Sequence, residues 1–177
     1  MIERAAWFER RFSFDLSVWM YPNVLERLRG TPARLEDRLL DLPRELLVRR
    51  YADKWSMQEH AGHLLDLEAL EAARLEDYAA GRKTLTPADP RNRKTYEADH
   101  NSKEIREILS AFRRERTEFV ERLESLDAEF IERSALHPRL QIPMRVIDLA
   151  FFKAEHDDHH LARISELIKK WGTPFGP

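Results

Sequence analysis

Three histidines near the end of the chain, in the stretch EHDDHHLARI, are the residues best suited to binding a metal ion. If this stretch is helical, each residue advances about 100° around the helix axis. His156 and His160 then lie about 40° apart within a stripe of apolar residues, whereas His159 lies about 60° to the other side of His156, at the edge of the stripe. Because two imidazoles one helical turn apart can reach the same cation, the spacing predicts that His156 and His160 bind one metal ion.

A second pair of histidines, His60 and His63, lies in the stretch WSMQEHAGHLLDLEAL. Ser56 followed three residues later by Glu59 is a capping-box pattern, so a helix is predicted to begin here. On that helix His60 lies within the apolar arc and His63 lies at its margin, about 60° away. Helical geometry therefore predicts one inward imidazole from this helix but does not choose between the two residues.

The alternative to a metal site is a set of histidines that simply belong to the core. A single inward histidine is often of this kind, but each buried imidazole needs partners for both of its nitrogen atoms. Two such rings one turn apart need four partners, which an ordinary core seldom provides. Three neutral imidazoles on one ion would leave at least one coordination position for water or substrate, as in catalytic sites.

Four further residues are candidates for supporting the ligands or contacting a substrate: Glu59, Asp157, His159 and Arg116. Asp157 falls within the apolar stripe of its helix, where it would orient a ligand or pair with a buried cation; a surface acid is the alternative. Arg116 falls near the centre of its own helix's apolar stripe, and a buried ion pair is favoured over an anchor for an anionic substrate. The sequence does not identify which residues would be catalytic.

The elements that must position these residues are helices, since helical periodicity dominates and no alternating strand pattern is found. Gly30 is predicted to end one helix and Thr31-Pro32 to begin another. The remaining predicted helices are a short one after Pro43 and three long ones, from Ser56 to about Ala80 with Gly81 as the stop, from Asn101 onward, and from about Met144 to Lys170, with Gly172 beyond its end. This pattern predicts an all-α helical bundle with additional short helices, forming a single domain over residues 1–177.

Two stretches have no clear periodicity. Residues 1–20 form an aromatic-rich N-terminal extension, for which packing into the core is favoured over covering a pocket or making a dimer contact. Residues 81–98 contain two prolines and five basic residues and read as a loop. A solvated connection is the favoured interpretation of this loop, and a basic lip beside a pocket is the alternative.

The composition excludes several classes of function. The formal net charge is −2, from 30 basic and 32 acidic residues, so no general attraction to nucleic acid or to an anionic membrane is expected. With 0 Cys, a disulfide, a thiolate nucleophile and a cysteine-ligated zinc site are excluded. The N-terminus lacks the apolar segment of a signal peptide, and no apolar run is long enough to cross a bilayer, so a cytoplasmic protein is expected.

The two histidine-containing stretches together resemble the DinB-like superfamily of metal-dependent enzymes. The resemblance runs from about Gly30 to the C-terminus and rests on the Trp-Ser-x-x-Glu-x-x-x-His-Leu block and on the terminal His-x-x-x-His block. It implies an antiparallel four-helix bundle, often a homodimer, with zinc or nickel held by three histidines. The first ligand of the family is the histidine eight residues after the tryptophan. Counted from Trp55, this is His63, and the other two ligands match His156 and His160.

The resemblance also implies an activity class. Members include thiol-dependent S-transferases, a thiol-dependent isomerase and hydrolases without a known substrate. We therefore expect a metal-dependent enzyme that acts on a small molecule by activating water or a low-molecular-weight thiol, which must come from outside this cysteine-free chain. The alternative is a non-catalytic, metal-stabilised bundle serving as a stress-linked binding or dimerisation module. An open metal position facing a cavity would favour the enzyme, and a fourth protein ligand would favour the structural role.

Overall fold

The structure, a computed structural model, describes residues 4–171. Within this range the chain forms eight α-helices and one small sheet. The helices are α1 (Tyr21–Leu39), α2 (Arg44–Leu47), α3 (Met57–Asp66), α4 (Glu68–Ala79), α5 (Arg93–Glu97), α6 (Ile105–Glu124), α7 (Ala128–Ile131) and α8 (Val146–Trp171), and the strands are β1 (Ser134–Leu136) and β2 (Pro143–Arg145). Gly172, placed beyond the last helix in the sequence-based prediction, lies outside the described residues.

The long helices form a four-helix bundle, as predicted. Helix α1 packs against α6 and α8, and α3 packs against the same two helices, so α1 and α3 occupy opposite corners. Helix α4 continues the direction of the chain after a single non-helical residue, Leu67, and also contacts α6. The antiparallel pair β1–β2 was not predicted, because strands of three residues are too short to show an alternating pattern.

Helix α1 runs without interruption through Gly30, Thr31 and Pro32, so the predicted helix boundary at this point is wrong. A proline inside a helix has no N–H for the carbonyl four residues earlier, which here is that of Leu28. Arg116 Nη1 of α6 donates to the Leu28 oxygen at 3.1 Å and takes over the missing hydrogen bond. The proline is therefore tolerated because a neighbouring helix supplies the donor.

The start of α3 and the end of α4 follow the sequence signals. Ser56 and Glu59 form the predicted capping box, with hydrogen bonds in both directions. Gly81, the predicted stop, has a φ of 65°, in the left-handed region that glycine adopts without strain. These two local signals set where α3 begins and where α4 ends, and both His60 and His63 lie on α3.

The interior of the bundle is divided into two apolar clusters by a polar layer. One cluster includes Leu28, Leu75, Phe119 and Ala154, and the other includes Leu35, Leu64, Phe112 and Leu161. Between them each corner of the bundle contributes one buried polar side chain: Thr31 from α1, Glu68 from α4, Arg116 from α6 and Asp157 from α8. The histidines of interest lie on the turns of α3 and α8 nearest this layer, where the interior is already polar.

The N-terminal segment lies against α8. Trp7, Phe12 and Phe14 are partly buried on the first apolar cluster, and Phe12 and Phe14 pack edge-on against Phe152 of α8. Trp7 also lies beside His156, with the two ring centroids 4.8 Å apart. The described part of the segment thus combines two of the three interpretations, because it packs on the core and also covers the cavity beside the candidate site. Among the described residues, no helix combines the length and the apolar character needed to cross a membrane.

Candidate metal centre

Three histidines from two helices meet at the polar layer. His63 of α3 and His156 and His160 of α8 have nitrogen atoms that all lie within 4.8 Å of one another. The one-turn spacing on α8 brings the Nε2 atoms of His156 and His160 to 3.2 Å. His63 faces both of them from α3, with ring centroids 5.4 and 4.9 Å away. The structure therefore brings together the same three residues that the family resemblance selected.

The spacing of these nitrogen atoms suits a divalent ion. Two imidazole nitrogens bound at about 2.05 Å in a tetrahedral arrangement lie about 3.3 Å from each other. The 3.2 Å between His156 Nε2 and His160 Nε2 is close to this value. The two side chains thus need little rearrangement to share an ion.

His60 contacts His160 on the side of the ring that faces away from His156. Its Nδ1 atom lies 2.8 Å from Nδ1 of His160, and both rings are buried. When Nε2 of His160 is a metal ligand, its proton resides on Nδ1 and is donated to His60, which fixes both the tautomer and the orientation of His160. Helical geometry left open the choice between His60 and His63. In the structure His63 lies in the cluster with His156 and His160, whereas His60 contacts the far side of the His160 ring.

His63 is held by a separate chain of hydrogen bonds. Its Nδ1 lies 3.0 Å from Oγ1 of Thr95, on the short helix α5. Asp66, one turn after His63, accepts a hydrogen bond from His100 Nε2 at 2.8 Å. Burial raises the pKa of Asp66, but hydrogen bonds from His100 and Thr95 outweigh it and hold this pKa below its usual value. The charged carboxylate thus anchors Thr95, and Thr95 in turn leaves Nε2 of His63 facing the cluster.

Gly62 is required by the same chain of contacts. A Cβ atom at this position would lie 2.3 Å from Cγ of His100. Gly62→Ala gains about 0.5–1 kcal/mol from helix propensity but costs about 1–3 kcal/mol by overpacking. We expect a net loss of unfolding free energy, measured by urea denaturation. Gly30→Ala, in α1 with no atom within 4 Å of the new Cβ, should instead be stabilising; equal effects of the two substitutions would contradict this explanation.

All of these imidazoles are kept neutral. Burial lowers the pKa of His60 to about 3 and that of His63 to about 4. The pKa values of His156 and His160 also lie well below the usual histidine value, first because of burial and then because of the neighbouring histidines. Neutral imidazole is the form that binds a metal, so no proton has to be displaced at neutral pH from the ligating nitrogens.

The cluster opens onto a cavity of about 500 Å³. All three histidines line it, and most of its remaining wall is apolar, built from Trp7, Phe8, Trp55, Leu67, Leu70 and Phe152. The ring of Trp55 is nearly parallel to that of His160 at 6.2 Å and lies 4.7 Å from His63. Among residues 4–171, no further histidine or carboxylate joins the three as a ligand. The geometry thus leaves space for water or a substrate on the cavity side.

The other predicted residues lie outside this cluster. Glu59 closes the capping box and pairs with Arg50, while Asp157 accepts hydrogen bonds from Thr31 and Arg116. Arg116 forms buried ion pairs with Glu68 and Asp157, at 2.8 and 2.5 Å. It therefore has the ion-pair role that was favoured over an anchor for an anionic substrate. It does not line the cavity.

His159 lies on the side of α8 that faces the N-terminal segment. It lines the cavity, lies 5.6 Å from the ring of Trp7, and is contacted by Arg4. Burial, followed by the charges of Arg4 and Arg10, lowers the pKa of His159 to about 4. It is therefore a neutral wall residue next to the cluster.

Residues 81–98 are more than a solvated loop, and the prediction of a loop is wrong for Arg93–Glu97, which form helix α5. The central part of this segment, including Pro87, Ala88, Pro90 and Asn92, lines the cavity, so the favoured interpretation is wrong for these residues. The alternative, a basic lip beside a pocket, is only partly right. The segment does border the cavity, but Arg91 and Arg93 are exposed and do not line it. Thr95, on helix α5 within the same segment, had no sequence signal, because a single threonine in an aperiodic stretch cannot be told apart from its neighbours.

Comparison with known proteins gives the following matches. The model of the DinB superfamily matches residues 27–164. YfiT from Bacillus subtilis, described as a probable metal-dependent hydrolase with an unusual four-helix bundle topology, superimposes with a TM-score of 0.81 at 19% identity, over 93% of this chain and 95% of that one. A protein from Streptococcus pneumoniae superimposes with a TM-score of 0.64 at 12% identity, over 92% of each chain. At these identities the structural matches establish the fold only, and no curated protein matches the sequence.

Proposed function

Because this chain belongs to the DinB superfamily, we propose that it is a metal-dependent enzyme whose ion is held by His63, His156 and His160. The observation that carries the proposal is the cluster of three neutral imidazoles on the wall of a largely apolar cavity, with no fourth ligand among residues 4–171. Three nitrogen ligands and an open side are the arrangement of a catalytic rather than a structural zinc site.

The protein residues would divide the work as follows. His60 and Thr95 hold His160 and His63 by their Nδ1 atoms, so that Nε2 is presented to the ion. Trp7, Trp55 and Phe152 exclude bulk water from the cavity and provide an apolar surface for a small molecule. A bound zinc or nickel ion would lower the pKa of a coordinated water or thiol. Hydrolysis of a small molecule is the reaction we propose, and transfer of an external thiol is the second one to test.

The proposal is tested by metal analysis of the purified protein. We expect about one equivalent of zinc or nickel per chain, lost on treatment with a chelator and regained on adding the metal. At 1,000 times its Kd, a ligand that binds only the folded state adds about 4 kcal/mol of stability, so reloading should also raise the Tm clearly. Protein that contains no metal and gains no stability from either metal would refute the proposal.

The reaction class is tested with the reloaded protein. Panels of activated esters, amides and phosphoesters report hydrolysis, and a panel of electrophiles with several low-molecular-weight thiols reports S-transfer. Activity that disappears with the chelator and returns with the metal identifies the class. Absence of both, with metal bound, would instead favour the non-catalytic metal-stabilised bundle. Assembly as a homodimer and a cytoplasmic location stay predictions, and light scattering on the purified protein measures the first.

His60 offers a more sensitive test of the same site. Its removal by His60→Ala is expected to weaken metal binding about 10–100-fold, the usual effect of losing the hydrogen-bond partner of a ligand. His60→Gln retains an acceptor and should recover part of the affinity. Competition with a chromophoric chelator measures both variants. Unchanged affinity in His60→Ala would show that the 2.8 Å contact with His160 does not orient the ligand.

A further inference from the structure

The cavity has a second group of polar residues at some distance from the three histidines. We refer to Glu71, Arg74, His137 and Arg139 as the distal cluster; all four line the cavity. Glu71 and Arg74 lie on α4, and Glu71 follows His63 by eight residues, which is about 12 Å of helical rise. His137 and Arg139 lie in the turn between β1 and β2, and the ring of His137 packs against Phe152 at 5.4 Å. A ligand of moderate length would thus contact both ends of the cavity.

His137 presents a buried donor without a partner. The residue is 2% exposed, and its Nδ1 accepts a hydrogen bond from the backbone N–H of Leu140 at 3.2 Å. Burial, and then the charges of Arg74 and Arg139, lower the pKa of His137 to about 4, so the ring is neutral and its one proton resides on Nε2. This N–H has no hydrogen-bond partner among the described residues. A buried donor left unpaired costs about 1–3 kcal/mol, which an acceptor on a ligand would recover.

Arg139 adds a positive charge beside this donor. Its guanidinium lies over the rings of Phe8 and Phe152, and within residues 4–171 no carboxylate lies close enough to form a salt bridge with it. Arg74 is already paired with Oε1 of Glu71, at 3.3 Å, and the other carboxylate oxygen, Oε2, has no hydrogen-bond partner among the described residues. Partial burial and the charge of Arg74 hold the pKa of Arg139 below the usual arginine value. The distal cluster therefore has a net charge of about +1 next to an unpaired donor.

We propose that the distal cluster binds a carboxylate group of the substrate, with His137 Nε2 and the guanidinium of Arg139 as donors. A monoanion balances the net charge of about +1, whereas a dianionic phosphate would leave excess negative charge in the cluster. The inference rests on the proposed function, because it takes the reacting group of the same molecule to lie at the three histidines. It restricts the substrates to acids whose carboxylate is separated from the reacting bond by a spacer of several atoms.

The experiment uses zinc-loaded protein and alkyl hydroxamates, since hydroxamate is a general zinc ligand. Three series with increasing chain length carry a terminal carboxylate, a primary amide or a phosphonate, and calorimetry measures their Kd values. At the best chain length we expect the carboxylate to bind about tenfold or more tightly than the amide, the usual strength of a charged hydrogen bond. The phosphonate should bind more weakly than the carboxylate.

Variants assign the preference to the distal cluster. Arg139→Gln, at an exposed position, and His137→Phe should each reduce the ratio of carboxylate affinity to amide affinity, because both donors bind a charged acceptor more strongly than a neutral one. His137→Gln, which keeps a donor, should retain part of the preference for carboxylate. Arg91→Gln is the matched control, because Arg91 is an exposed arginine of the cavity-lining loop that does not itself line the cavity. Thermal denaturation of each variant shows that the fold is intact.

Two kinds of negative result are distinguishable. If acetohydroxamate, which is too short to reach the distal cluster, does not bind the zinc-loaded protein, the proposed metal site fails and this inference with it. If acetohydroxamate binds but carboxylate and amide tails are equivalent at every chain length, only the distal subsite is refuted. A preference for carboxylate that survives both Arg139→Gln and His137→Phe would also refute it.

Discussion

His160→Ala is expected to abolish stoichiometric metal binding, with an affinity loss on the order of 100-fold or more. This loss exceeds the one expected for His60→Ala, which removes only a hydrogen-bond partner of a ligand. His160 is the central member of the cluster, since its Nε2 lies 3.2 Å from His156 and its Nδ1 lies 2.8 Å from His60. Its removal takes away one ligand and also the partner that orients His60. The measurement is metal content after dialysis, together with a competition titration.

His159→Ala is the matched control for this prediction. His159 is the neighbouring residue on the same helix, it also lines the cavity, and it is contacted by Arg4 rather than by the cluster. We expect this variant to keep its full metal content. Metal lost equally from both variants would mean that general damage to α8, and not ligation by His160, explains the result.

Arg116→Ala is expected to lower the unfolding free energy by about 3–5 kcal/mol, the usual cost of removing one member of a buried ion pair. The guanidinium is 1% exposed and donates to Glu68, to Asp157 and to the carbonyl of Leu28. Its loss removes the cation that pairs with Asp157 and leaves the carbonyl of Leu28 unpaired, while Glu68 keeps only Lys153, at 2.9 Å. For a chain of this length the Tm should fall by roughly 6–20 °C, which calorimetry measures.

Arg113→Ala, one turn earlier on the same helix, is the control for Arg116. Arg113 pairs with Glu36 at the surface, where its side chain is 47% exposed, and such pairs contribute less than about 1 kcal/mol. Pro32→Ala provides a second check, because alanine would supply the missing N–H to Leu28. Combined with Arg116→Ala it should recover part of the lost stability. Similar small effects of Arg113→Ala and Arg116→Ala would contradict the role given to the polar layer.

The sequence predicts those parts of the site that lie on long helices. The one-turn spacing of His156 and His160 and their position within an apolar stripe are enough to place them together, because helix geometry is regular over α8. Only the family resemblance selected His63 over His60 as the third ligand. His60 and His63 lie on neighbouring parts of one arc, and only the packing of α3 against α8 determines which ring faces the cluster and which lies behind His160.

The parts that could not be predicted depend on contacts between distant segments. Thr95 lies on the short helix α5 and His137 lies in a turn, and neither element is long enough for periodicity to indicate which way a side chain points. The continuity of α1 was missed for a related reason, since Pro32 normally ends a helix and the compensating donor, Arg116, lies 84 positions further along the chain. In each case the deciding partner is remote in sequence, so local patterns contain no information about it.

Thr95 belongs to the same segment as the cavity-lining residues Pro87–Asn92, although its hydroxyl contacts a member of the histidine cluster. In the proposed enzyme this segment would form a wall for the substrate and would also support His63 as a metal ligand. Thermodynamic reciprocity then sets a condition on the two binding events. Suppose that a substrate orders this segment and thereby increases the affinity for the ion by some factor. The ion must then increase the affinity for that substrate by the same factor. If the proposed function holds, retention of the metal therefore depends on whether substrate occupies the cavity.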